Sequence, residues 1–271
     1  MSIKEYQITM PMTVEEYKGA QLFAVAETSK AETGGGKGVE VQKNEPYDEN
    51  HEKYIPLKGG YSKGQYTQKI YHLGQALPDW IKKVLPNGSL EIHEESWNAY
   101  PYCITVLSHP KFEAIVETYH KEGRGDEDNV HELDSQKLNE RTVVNIDIAN
   151  DSVDANDYKE DEDPKTFKSV KTGRGPLEGD WKNSVDPVMT VYKLVTVKVQ
   201  VPWGMQTLVE NFIHTEQKRL LTNFNRKLFC WTDKWHGMKM ADIRALEEET
   251  KRKLDEERAK GEIRGNATLE K

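Results

Sequence analysis

With 271 residues, 36% hydrophobic and 31% charged, the chain is long enough to bury a core and a cavity within one α+β domain. A formal net charge of -8, from 46 acidic and 38 basic residues, excludes global electrostatic attraction to nucleic acid or to an anionic membrane. Two cysteines, Cys103 and Cys230, with no apolar leader in "MSIKEYQITM", suit the reducing cytosol, and no run reaches the ~20 apolar residues of a membrane span.

In chain order, Thr13 and Glu16 stand at capping-box spacing and open a helix over 13–29, with Tyr17, Gln21, Ala24 and Val25 at helical intervals. "AETGGGKG" invites a phosphate-loop reading. That reading fails, because Gly38 follows Lys37 where Ser or Thr is required, and the stretch reads as a flexible turn. Residues 44–64 read as a polar connection into a strand, "GQYTQKIYHL". Alternation there puts Gln65, Thr67, Lys69, Tyr71 and Leu73 on one side, and Tyr66, Gln68, Ile70 and His72 on the other. Neither side is cleanly apolar.

"LPDWIKKVL" (77–85) reads as a short helix ended by "PNG". Four strands follow, "SLEIHEE", "YCITVLS", "FEAIVETYH" and "TVVNIDIA", and then an acidic loop, 150–164, read as a solvated surface segment. A long strand runs from Met189 to Val201. Over the last seventy residues or so the pattern is helical. Ile213, Leu220, Phe224, Leu228 and Trp231 form one stripe of a long helix; Ile243, Leu246, Thr250 and Leu254 form the stripe of a second, with Glu247 against it. The expectation is a mainly antiparallel sheet with a long helix packed across it.

Polar residues interrupt apolar faces repeatedly. Lys193 lies among Val191, Val195, Val197, Val199 and Val201; Glu94 follows Leu90 and Ile92; Thr118 follows Phe112, Ala114 and Val116; Thr105 stands between Cys103 and Leu107. A buried ammonium without a partner costs several kcal/mol, so Lys193 needs an anion or must snorkel to an edge. Taken together, the interruptions suggest a polar pocket at one end of an apolar cavity. Hydroxyls and a lysine suit a phosphate diester; lysine, carboxylates and Asn98 suit a polyhydroxylated ring; an apolar remainder suits acyl chains.

"KGQYTQKIYHL", "IHEESWNAYPYC", "FKSVKTGRGPL", "VENFIHTEQKRLLTNFNRKLFCW" and "MADIRALEEETKRKLDE" resemble the class I phosphatidylinositol transfer proteins, in order and over nearly the whole chain. The resemblance implies a START-like helix-grip fold: an α+β domain spanning 1–271, with a curved sheet and long helices around one phospholipid and a lid at about 255–271. It implies exchange of phosphatidylinositol and phosphatidylcholine between membranes without chemistry, in the cytoplasm, by a monomer that touches membranes transiently and partners phosphoinositide kinases. Carried over by motif, Thr67, Lys69, Glu94, Asn98 and Glu247 would bind the inositol ring, and Gln21, Thr105, Thr118 and Lys193 the phosphate. Cys103 would line the headgroup region, and Ser169 matches a phosphorylation site. The family's docking loop commonly carries two adjacent tryptophans; here it reads Pro202-Trp203, and the segment before "KGQYT" is longer than usual.

Two other readings compete. A sterol or sphingolipid carrier of the same fold would leave Thr67, Lys69, Asn98 and Glu247 unpaired against an apolar headgroup. A hydrolase using His72 or His93 with Asp147 lacks a nucleophile elbow, metal-spaced histidines and a glycine-rich catalytic turn.

Overall fold

The computed structural model describes residues 1–32, 38–73, 78–84, 91–202 and 204–260. Eight strands form one sheet: β1 (Ser2–Met10), β2 (Gly38–Tyr47), β3 (Gly64–His72), β4 (Glu91–Ala99), β5 (Tyr102–His109), β6 (Phe112–Glu122), β7 (Arg141–Ile146) and β8 (Met189–Val199). The order is β2-β3-β4-β5-β6-β8-β1-β7, and every pairing is antiparallel except β1 with β7. Three long helices, α1 (Val14–Glu32), α5 (Gln206–Cys230) and α7 (Met240–Lys260), cover the inner face. Among the described residues there are also four short α-helices: α2 (Asp79–Val84), α3 (Ser135–Glu140), α4 (Trp181–Ser184) and α6 (Thr232–Trp235). This is the α+β helix-grip arrangement.

The capping box at α1 forms as read. The Glu16 carboxylate accepts from the Thr13 amide at 2.9 Å, and the Glu16 amide donates to Thr13 Oγ1 at 3.1 Å. α7 lies close along α1, where a side chain at Gly19 would come within 3.1 Å of Ile243. The α7 stripe is as expected: Ile243, Thr250 and Leu254 are buried.

The sheet is packed on both faces, which explains why β3 has no apolar side of its own. On the inner face Tyr6, Ile8, Val116, Val191, Val195 and Val197 meet Tyr17, Phe23, Leu221, Leu228 and Phe229 of the helices. On the outer face Tyr66, Trp97 and Tyr102 are buried under Tyr47 and Leu57. The long segment before β3 is therefore a cover for the outer face. Tyr47 stacks on Tyr54, and its hydroxyl donates to the Ile55 carbonyl at 2.6 Å.

Four expectations need correction. Residues 44–47 belong to β2, an edge strand whose bulge and half-exposed faces erase the alternation signal. Leu220 is exposed while Leu221 is buried, so the stripe of α5 is phased one residue differently. The helix also ends at Cys230, with Trp231 at its cap and α6 beyond. The acidic loop is not simply solvated: Asp157 accepts from Arg219 at 2.7 Å and Asn223 at 2.8 Å, and Asp163 accepts from the buried Arg226 at 3.0 Å. Of "AETGGGKG" only Ala31, Glu32 and Gly38 are described; "PNG" and the lid beyond residue 260 lie outside the described residues.

Candidate functional site

Strand register fixes which polar side chains share the inner face. Pairing aligns Gln65, Asn98, Cys103, Thr118, Lys193 and Tyr6 in one row across β3, β4, β5, β6, β8 and β1. Two residues along, Thr67, Ser96, Thr105, Val116 and Val195 form a second row. Lys69, Glu94, Leu107, Ala114 and Val197 form a third. Polar groups thus fill the β3–β4 corner and the first row, while β6 and β8 turn apolar in the second and third.

The strand residues carried over for the headgroup are therefore brought to one face. Lys69 Nζ stands 3.4 Å from Glu94 Oε1, and the Tyr71 hydroxyl donates to Glu94 Oε2 at 2.8 Å. Ser96 and Thr105 hydroxyls are 2.7 Å apart. Lys193 Nζ donates to Thr118 Oγ1 at 3.2 Å. Thr67 is 8% exposed and its hydroxyl, buried, has no hydrogen-bond partner. An orphaned hydroxyl costs about 1–3 kcal/mol, so this atom fits a ligand that bonds to it.

Lys193 keeps some accessible area, yet desolvation lowers its pKa, opposed by Cys103 and Glu94. Both hold when the accessible area faces the space between sheet and helices. The snorkelling alternative places Lys193 near the end of its strand, whereas it is the fifth of the 11 residues of β8, a strand interior to the sheet. Burial pushes the Cys103 thiol up to about 12, although the charge of Lys193 pulls the other way. Cys103 is a buried neutral thiol, one register step from Thr118.

Gln21 and Glu247 come from the helix layer, and both are half-buried. Glu247 accepts from Arg244 on its own helix at 2.6 Å; it is not tied to the strand group. Ser169 is buried, its hydroxyl donating to Asp233 Oδ1 at 2.6 Å, while Asp233 also takes the Val170 and Lys171 amides. Pro202 is exposed, and Trp203 lies outside the described residues.

Sequence reading missed Ser96 and Tyr71. Tyr71 was legible from its shared parity with Lys69, but the Ser96–Thr105 contact depends on the β4–β5 register. The hydrolase constellation does not assemble. Asp147 follows the edge strand β7, where its carboxylate accepts from Trp181 Nε1 at 2.9 Å and from the Ala149 and Asn150 amides. His72 and His93 are at the other end of the sheet, on β3 and β4.

The phosphatidylinositol transfer protein family model matches residues 1–252. The human phosphatidylinositol transfer protein beta isoform is 48% identical over 278 residues, covering 99% of this chain and 98% of that protein. Phosphatidylinositol transfer protein 1 of Dictyostelium discoideum is 47% identical, covering 94% of this chain and 97% of its own length. Human membrane-associated phosphatidylinositol transfer protein 2 is 43% identical over 96% of this chain, which corresponds to 19% of that longer protein. No helix among the described residues is long and apolar enough to cross a membrane. The chain belongs to the phosphatidylinositol transfer protein family.

Proposed function

We propose that the protein carries one phospholipid, phosphatidylinositol or phosphatidylcholine, and exchanges it between membranes as a cytoplasmic carrier that meets the bilayer transiently. The observation that supports this most is the orphaned Thr67 hydroxyl beside the Lys69–Glu94 pair, on the same face as the desolvated Lys193. The corner at Thr67, Lys69, Glu94 and Asn98 suits the ring hydroxyls, with Glu247 completing it from α7. Thr105, Thr118, Lys193 and, from α1, Gln21 suit the phosphate that both lipids share, and Cys103 lines the wall between them. Leu107, Ala114, Val116, Val195 and Val197 suit acyl chains.

Such a cavity lowers a large barrier. Moving two chains of ~16 carbons into water, at ~0.8 kcal/mol per methylene, costs on the order of 20 kcal/mol. Protein contacts replace bilayer contacts and remove most of that penalty. A phosphate added at Ser169 would place its charge beside Asp233, so modification there requires the loop to leave that carboxylate.

Native mass spectrometry of the purified protein tests the carrier reading. The expected result is a phospholipid bound at one per chain, with vesicle-to-vesicle transfer of both lipids. A lipid-free protein, or turnover of a labelled phosphoinositide, would overturn it.

A further inference from the structure

Elsewhere on this acidic surface carboxylates answer lysines: Lys30 pairs with Glu27, Lys58 with Glu117 and Lys121 with Glu127. Past the C-terminal end of α5 the pattern reverses. Lys165, Lys168, Lys171, Lys234 and Lys239 are all exposed there, and none forms an ion pair among the described residues. The two segments that carry them are tied together. Asp233 accepts the Ser169 hydroxyl at 2.6 Å and the Val170 and Lys171 amides at 2.9 Å, and Lys171 Nζ donates to the His236 carbonyl at 3.1 Å.

The acids that touch this loop are occupied. Asp233 holds those three donors, Glu16 accepts from Arg174 at 3.0 Å, and Asp163 accepts from Arg226 at 3.0 Å and the Lys165 amide at 3.1 Å. Like charges held close repel, so an unanswered group of lysines is a standing cost that an anionic partner removes. In their midst Val170 is 92% exposed, more than any other large hydrophobic residue described. It cannot fold back, because the loop is closed on itself: the Ser169 amide donates to the Arg174 carbonyl at 2.8 Å and the Gly173 amide to the Ser169 carbonyl at 2.9 Å.

We infer that this tip docks an acidic segment of a partner protein, whose carboxylates meet Lys168, Lys171 and Lys234 around an apolar side chain that covers Val170. An apolar centre with a charged rim is the usual anatomy of such an interface, and the lysines give a chain of net charge -8 one face that attracts an acidic partner. A bilayer fits the position less well. The loop at Pro202 precedes α5 and the tip follows it, and a 25-residue helix is about 36 Å long, several Debye lengths. A bilayer met through that loop leaves the tip in water, free to hold a protein during lipid exchange. Nucleic acid would supply phosphates to the lysines, but its bases stack on aromatic rings, and the centre here is a valine.

A fluorescein-labelled synthetic peptide with glutamates around a central leucine tests this by anisotropy at low salt. It should bind, and its glutamine counterpart should bind roughly tenfold more weakly. Lys168→Glu combined with Lys234→Glu should abolish peptide binding, and Val170→Ser should weaken it several-fold. The same charge reversal at the exposed Lys63 and Lys137 should leave it intact. Melting temperature and phosphatidylinositol transfer should be unchanged in every variant, which separates this surface from the carrier site. Absence of peptide binding, equal affinity for the two peptides, or equal loss in the Lys63 and Lys137 control would each overturn the inference. So would phosphatidylserine vesicles or oligouridylate binding at these lysines in place of the peptide, which would make the tip a membrane or RNA surface.

Discussion

At the residue scale, Thr67 and Lys193 carry opposite costs. Thr67 holds a hydroxyl that no protein atom satisfies, and Thr67→Val removes it while keeping the side-chain shape. If that hydroxyl bonds the inositol ring, the substitution should leave fold stability unchanged or higher and reduce phosphatidylinositol transfer roughly tenfold, the equivalent of ~1.4 kcal/mol. Phosphatidylcholine, which has no ring hydroxyls, should transfer normally. Equal loss of both activities would remove Thr67 from the ring site. Lys193 holds a charge on an apolar face, and Lys193→Met replaces a desolvated ammonium with a side chain the valines accept. Stability should not fall, yet transfer of both lipids should drop together, because the phosphate is common to them. Paired transfer assays on the two variants separate ring from phosphate, and wild-type transfer by Lys193→Met would strip the site of its cation.

At the element scale, legibility followed whether burial and hydrophobicity coincide. The capping box of α1 could be read directly, since its spacing alone forms the bonds; β8 was legible as a strand from its alternating valines, although both of its faces are buried over much of its length. The face parity of β3 was also legible, but its meaning required the register that sets Thr67 beside Ser96 and Lys69 beside Glu94. α5 was misphased because its buried face includes His214, Thr222, Asn225 and Arg226, which a hydrophobic stripe cannot anticipate. Thr222 bonds back to the Lys218 carbonyl, and the other three have partners distant in sequence: His214 meets the Tyr6 hydroxyl at 3.1 Å, Asn225 accepts from the Tyr17 hydroxyl at 2.9 Å, and Arg226 donates to the Ile148 carbonyl at 2.7 Å and to Asp163. The acidic loop is thus a strap on α5. Asp163→Ala would leave Arg226 buried with its charge unpaired and should destabilise the protein by about 3 kcal/mol. Asp157→Ala leaves the more exposed Arg219 still paired with Glu216 at 3.0 Å and should cost about 1 kcal/mol. Urea unfolding of the two variants tests the ranking, and equal effects would return the loop to the solvated segment read from its composition.

At the scale of the whole molecule, three buried histidines couple the fold to pH from three separate places. His120, on β6, lies against the Pro101 carbonyl with Lys193 nearby; His131, on the outer face, has Glu5, Glu117, Lys58 and Arg141 around it; His214, on α5, meets Ser2 and Tyr6 with Lys4 nearby. Burial dominates at each, pushing His120 down to about 3 and His131 and His214 down to about 4 from an ordinary 6.5. The folded values lie below the unfolded one, so the unfolded chain binds more protons between about pH 6.5 and 4. The stability these groups contribute is present above pH 6.5 and is lost as pH falls through that window. Each contributes a slope of at most ~1.4 kcal/mol per pH unit, so together they reach about 4 kcal/mol per unit. Carboxylates held low, such as Asp163, act only in more acid solution, because both their folded and unfolded values lie near or below 4. Urea unfolding from pH 7.5 to 4.5 should therefore show stability declining well before the carboxylates titrate, and His131→Phe should flatten the slope by roughly a third. A stability that stays level down to pH 5 would mean that these imidazoles take up protons in the folded protein as readily as in the unfolded chain.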